Sequence, residues 1–162
     1  MRQETRIRVY GGKNGFAASH FLVGMGKCER LHGHNYSVTV EICGEPDGNG
    51  VIIDFHDLNL VVSKVCQSLD HRVLIAKDEK RYKLRAGESE VEVVFGKKRF
   101  LFPAADCVIV PVNATTVEKI SCYLLGEILK ELDKGSYAGL RWIEVGVSEG
   151  SAQMALCRSE LV

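Results

Sequence analysis

The chain has 162 residues, 46% hydrophobic and 26% charged, enough for one α+β domain with a real core. Twenty-one basic residues balance twenty-one acidic ones, so charge gives no general basis for a nucleic-acid or anionic-membrane partner. No run approaches the roughly 18 apolar residues of a membrane span. Met1 to Tyr10 lacks the apolar core of a signal peptide, and a cytoplasmic location is expected. In that compartment the six scattered cysteines, without a CxxC pair, are expected to stay reduced, mostly as small buried apolar residues.

In chain order, Arg6 to Tyr10 alternates charged and apolar residues and reads as the start of a strand. Tyr36 to Ile42 alternates cleanly, with Tyr36, Val38, Val40 and Ile42 on the apolar row. Glu45 to Gly50 is dense in turn residues. Leu58, Val61, Val62, Val65 and Leu69 have helical spacing, with Asp54 or Asp57 as cap and an end near Asp70-His71. Lys77 to Arg85 is charged and expected to be exposed. Val91 to Pro103 suggests a hairpin turning at Gly96-Lys97-Lys98. Asn113 to Thr116 can cap a second helix, with Glu118 in its first turn, Val117, Ile120, Leu124, Ile128 and Leu132 as its stripe, and Lys134-Gly135 as its end. Arg141 to Glu149 is a strand that Ala152 to Arg158 can pair with. No repeat or linker interrupts the chain, which predicts antiparallel strands with two helices on one face.

The chemistry concentrates in Cys28-Glu29-Arg30-Leu31-His32-Gly33-His34. Continued backwards, the register of the Tyr36–Ile42 strand places His34 and His32 on its inward row. Two imidazoles on one face, with glycine between them, can reach one cation. His20, in the mostly apolar stretch Gly15 to Phe21, is a plausible third ligand. Three neutral imidazoles leave one tetrahedral position of a zinc ion open, the mark of a catalytic rather than a structural site. Cys28 can close that site as a fourth ligand, or act as a base or nucleophile whose thiolate the metal favours. Glu149 falls on the row of Ile143, Val145 and Val147, where an unsatisfied carboxylate is costly. His71 follows Asp70, which can orient its imidazole for proton transfer.

Phe16-Ala17-Ala18-Ser19-His20, Cys28-x3-His32-Gly33-His34-Asn35-Tyr36, Val51-Ile52-Ile53-Asp54-Phe55, Asp70-His71, Thr116-Val117-Glu118 and Val147-Ser148-Glu149 occur in one order along residues 16 to 149. In that order they resemble the 6-pyruvoyl-tetrahydropterin synthase/6-carboxy-tetrahydropterin synthase family. The resemblance implies a tunnelling fold (T-fold) with an antiparallel four-stranded sheet and two helices on one face. It also implies homo-oligomers, commonly hexamers built as dimers of trimers, with active sites between subunits. Carried over, His20, His32 and His34 bind Zn2+ and Cys28 is the proton-accepting thiolate. Asp70 and His71 form a relay supplied by a neighbouring subunit. Glu149 anchors the guanidine-like edge of a pterin and joins that relay, with Thr115, Thr116 and Glu118 near the ring. The implied substrate is 7,8-dihydroneopterin triphosphate, for whose phosphates Lys27, Arg30 and Arg72 are candidates.

Two departures matter. The interval from His71 to Thr116 is longer than usual for the family, by an insertion around 77–110. Glu29 precedes His32 by three residues, so two patterns coexist. Cys-x3-His-Gly-His resembles the carboxy-tetrahydropterin synthases of 7-deazaguanine (queuosine/archaeosine) biosynthesis. Glu-x2-His-Gly-His resembles members that cleave the side chain to 6-hydroxymethyl-dihydropterin for folate. A 6-pyruvoyl-tetrahydropterin product ranks third, and a non-catalytic zinc-dependent pterin-binding module is the rival of a different class.

Overall fold

The alternation at Tyr36–Ile42 extends in both directions along one long strand. In chain order the elements are β1 (Thr5–His20), β2 (His32–Gly44), α1 (Phe55–Gln67), β3 (Arg72–Ala76), β4 (Lys83–Ala86), β5 (Glu90–Phe95), β6 (Lys98–Pro103), β7 (Cys107–Val110), α2 (Val117–Glu131), β8 (Leu140–Gly150) and β9 (Gln153–Glu160). The computed structural model describes residues 4–132 and 139–161. The expected helix end at Lys134-Gly135 lies outside the described residues. Among the described residues, no helix is long and apolar enough to cross a membrane.

Among the described residues the main sheet has six strands rather than four, in the order β7-β3-β1-β2-β8-β9. The expected antiparallel four, β1, β2, β8 and β9, are present, and β3 and β7 add to the β1 edge in parallel. Those two strands are short runs, Arg72–Ala76 and Cys107–Val110, with no clean alternation to announce them. Strand β1 runs through an irregularity between Tyr10 and Gly15, where Gly11 and Gly12 take positive φ.

One face of the sheet carries Phe16, Tyr36, Val38, Val40, Ile42, Val145 and Val147, packed with the stripes of α1 and α2. Each fully buried Leu, Ile or Val on this face contributes about 1.5–3 kcal/mol. Asp54, not Asp57, caps α1: its carboxylate accepts from the N–H groups of His56 (2.7 Å) and Asp57 (3.4 Å). Asp54→Ala is expected to lower the unfolding free energy by about 1 kcal/mol, read as a shift in the urea midpoint at constant slope. Thr116 occupies the cap position of α2, but its side chain makes no capping bond.

The expected hairpin is part of a three-stranded sheet, β4-β5-β6. The expected turn at Gly96-Lys97 joins β5 to β6, with Phe95 opposite Lys98. Strand β4 was hidden by its charge: Lys83 and Arg85 alternate with Leu84 and Ala86, as edge strands often do. The small sheet forms a second core, in which Val91, Val93 and Phe95 pack with Phe21 and Ile75 of the main body.

The expectation of six reduced thiols fails at one pair. Cys122 of α2 and Cys157 of β9 form a disulfide, with Cα atoms 5.2 Å apart. Cys157 lies opposite Val145, on the row that the helices cover, so α2 packs directly over it. Cys28, Cys43, Cys66 and Cys107 are free. Burial pushes the Cys66 thiol up to about 12, consistent with an inert core residue.

Candidate metal centre

Register builds the centre. In the β1–β2 pair, Phe16 faces Tyr36, Ala18 faces His34 and His20 faces His32. The inward row therefore delivers three imidazoles to the open end of the strand pair, with small Ala18 beside His34. His20, His32 and His34 could hold a metal ion: one ring nitrogen from each lies within 4.8 Å of the others. Gly33 sits between two of these ligands, yet its missing side chain makes room on the other face. A Cβ there would meet Ala18 O at 3.2 Å and Ser19 Oγ at 3.3 Å.

Hydrogen bonds fix the tautomers. His20 Nδ1 is 2.9 Å from the Thr115 carbonyl and His32 Nδ1 is 2.7 Å from the Arg30 carbonyl. A carbonyl only accepts, so both Nδ1 atoms carry hydrogen, and in the neutral rings both Nε2 atoms present lone pairs. Those Nε2 atoms are 3.1 Å apart. Two lone pairs facing at that distance repel unless a cation lies near both, so the donor set suits a borderline-soft cation such as zinc. Glu149 completes the ring of polar atoms, 3.7 Å from His20 Nε2 and 3.9 Å from His34 Nε2.

His20 is wholly buried, and burial, reinforced by the neighbouring imidazoles, pushes its pKa down to about 4. The unfolded chain binds this proton near pH 6.5 while the folded chain does not. Stability from His20 is therefore present above about pH 6.5 and is lost as pH falls toward 4. For metal-free protein the expected loss across this window is about 3 kcal/mol, measured by urea unfolding in chelator. His20→Gln should flatten the profile, and a flat wild-type profile would refute this assignment.

The other predicted residues fall in three places. Cys28 is half-buried in a 3-10 turn, Gly26–Glu29, pinned by Leu22 N–H to Cys28 O at 2.8 Å. Its sulfur is not one of the gathered ligand atoms. Glu29 lies beside it, accepting from Gly24 N–H at 3.2 Å and from Lys98 Nζ at 2.8 Å. These contacts hold its carboxyl below the usual range.

Asp70 and His71 form a contact at 2.8 Å. Asp70 also accepts Ala17 N–H at 2.8 Å, and His71 N–H donates to Ala17 O at 2.7 Å. The Ala17 N–H, and next the His71 ring, hold the Asp70 carboxyl below its ordinary range. The His71 side chain is 83% exposed, at a left-handed φ of 57°. It lines a cavity with Ser19, Gly33, Asn35 and Arg72, which His34 also borders. Thr115 is buried, its hydroxyl 3.3 Å from His20 Nδ1, whereas Glu118, Lys27 and Arg30 are exposed.

Sequence reasoning read Tyr36 only as a core residue. Its ring stacks on Phe16 at 4.7 Å and its hydroxyl lies 3.4 Å from His20 Nδ1. Burial, and then the Glu149 carboxylate, raise its pKa, so it stays protonated and able to donate. The signal was available, because Tyr36 continues the row of His32 and His34.

The family model described as 6-pyruvoyl tetrahydropterin synthase matches residues 12–160. The chain belongs to that family, and its fold is the tunnelling fold. It is 31% identical over 142 residues to the 6-carboxy-5,6,7,8-tetrahydropterin synthase of Haemophilus influenzae, covering 82% of this chain and 89% of that one. A Methanocaldococcus jannaschii chain provisionally named for the same activity is 29% identical over 147 residues, covering 90% of both. The Plasmodium falciparum 6-pyruvoyl tetrahydropterin synthase structure superposes with a TM-score of 0.93 at 28% identity, covering 99% of this chain and 100% of that one. A Plasmodium vivax counterpart, described as a catalytic-residue mutant with glutamate replaced by alanine, gives 0.92 at 28% identity over the same shares.

Proposed function

We propose that this protein is a zinc-dependent lyase that converts 7,8-dihydroneopterin triphosphate to 6-carboxy-5,6,7,8-tetrahydropterin, with acetaldehyde and triphosphate as the other products. The observation that carries this reading is the cross-strand triad of His20, His32 and His34, with Cys28 outside the ligand set and Glu149 at its rim. The named Haemophilus influenzae relative supports the carboxy product, and the proposal includes a role for that product in 7-deazaguanine biosynthesis.

A zinc ion on the triad would supply Lewis acidity to the side-chain hydroxyls of the substrate. The chain's own residues do the rest. Glu149 accepts the paired N–H donors of the pterin edge, a bidentate geometry that satisfies a half-buried carboxylate. The protonated Tyr36 hydroxyl is available to donate to that carboxylate, and Thr115 fixes the ring of His20. The Cys28 thiolate takes a proton from the substrate side chain. The exposed His71, oriented by Asp70, returns a proton in the site of an adjoining subunit, so the working form is a homo-oligomer, a hexamer in this reading. Arg72, on the same cavity as His71, is placed to meet phosphate.

One observation favours a second product. Glu29 adjoins Cys28, and the Plasmodium vivax relative is described as using a catalytic glutamate. A Glu29-driven reaction would give 6-hydroxymethyl-dihydropterin. Incubating the zinc-loaded protein with the substrate and resolving the products by chromatography tests both. Carboxy-tetrahydropterin is expected as the main product and the hydroxymethyl compound alone would select the second reading. No turnover would refute the lyase. One zinc per chain is expected, and His32→Ala should lose it.

A further inference from the structure

We propose that Lys98 is a positioning residue that selects between the adjacent bases Cys28 and Glu29, by pinning the Glu29 carboxylate to the inserted sheet. This rests on the lyase reading above.

Four observations build the device. Lys98 Nζ is 2.8 Å from Glu29 Oε1, while Gly24 N–H donates to Oε2 at 3.2 Å, so both oxygens are engaged. Lys98 is presented by the tight turn between β5 and β6, where Gly96 takes a φ of 56°. Its ammonium lies 5.6 Å from the Phe95 ring centroid, within cation–π range. Phe95 in turn stacks on Phe21 at 5.8 Å, and Phe100 lies 4.8 Å from the same ring. Phe21 directly follows the ligand His20. The insertion is thus fastened to both ends of one loop, at Phe21 and at Glu29.

Engagement of both oxygens does two things to a base. It occupies the lone pairs that would receive a proton, and it fixes their direction. Positive charge beside a carboxylate also reduces its proton affinity, and a weaker base transfers more slowly. Arg81 adds to that field, although Glu79 engages its guanidinium. The working role is then left to Cys28, one residue earlier. The Lys98–Glu29 pair is partly exposed, with side chains 43% and 26% accessible, so its effect on stability is small. Its effect on which base works is the readable quantity.

The test places Lys98→Met and Lys98→Arg in the wild-type and Cys28→Ala backgrounds. Turnover of dihydroneopterin triphosphate and product identity are measured against pH. Cys28→Ala/Lys98→Met is expected to turn over roughly fivefold faster than Cys28→Ala alone. Adding Glu29→Gln should erase that gain, Lys98→Arg should not produce it, and the acid limb of the Glu29-driven rate should move to higher pH without the lysine. No gain, or a gain that survives Glu29→Gln, would overturn the proposal. Carbon-13 titration of the Glu29 carboxyl gives a readout without activity: its midpoint should rise in Lys98→Met, and an unmoved midpoint overturns the pinning. If the wild type makes no pterin product, the lyase reading fails, while this titration still decides whether Lys98 restrains Glu29.

Discussion

Cys28→Ala is expected to lower kcat by about 10²–10⁴-fold, the usual contribution of a positioned general base. KM should change little, because in the proposed reading Glu149, rather than the thiol, anchors the pterin edge. Zinc content should also hold at the wild-type value, since the Cys28 sulfur lies outside the gathered ligand atoms. The three readouts separate the roles. A base gives lost kcat with retained metal, whereas a fourth ligand would give lost metal. Steady-state kinetics alongside metal analysis of the same preparation decides. Full activity in the variant would remove the thiolate from the mechanism.

Reduction of Cys122–Cys157 is expected to lower the unfolding free energy by about 4 kcal/mol. The bridge spans 35 residues, and the loop-closure estimate for that length sets the scale. For a chain of this size the melting temperature should fall by roughly 10 °C. Cys122→Ser in oxidising buffer should reproduce the reduced wild type, because either change removes the same cross-link. Equal melting temperatures with and without reductant would show that the bridge contributes nothing in solution. Since the cross-link joins α2 to β9, the sheet edge should loosen first, visible as faster amide exchange along Gln153–Glu160.

Different physical ranges explain what the residues revealed and what they hid. The placement of His32 and His34 was legible because strand alternation is local, and Tyr36 to Ile42 carries it cleanly. That His20 faces His32 was not local. It depends on the pairing of β1 with β2 across the irregularity at Tyr10 to Gly15, and only the motif order suggested it. Strands β3 and β7 escaped because short parallel strands lack the alternation that marks β2. Lys98 and Glu29 are remote in the sequence and meet only once the β4-β5-β6 sheet folds back on Phe21. The disulfide was misjudged because compartment reasoning bears on thiols in general, whereas bridging depends on two Cα atoms arriving 5.2 Å apart.

The His20–His32 pairing has a consequence for the order of assembly. Two of the three candidate ligands are cross-strand neighbours in the central strand pair, and each has its Nδ1 held by a backbone carbonyl. The centre is preorganised. Its ligands are aligned by the free energy of the fold, so an ion that enters has little chain entropy left to remove. A zinc finger behaves in the opposite way, remaining unfolded until metal binds. Here the apoprotein should keep its tertiary structure after chelation, and metal uptake should be fast and reversible. A metal ion bound there would be exchanged as a reagent while the scaffold stays in place.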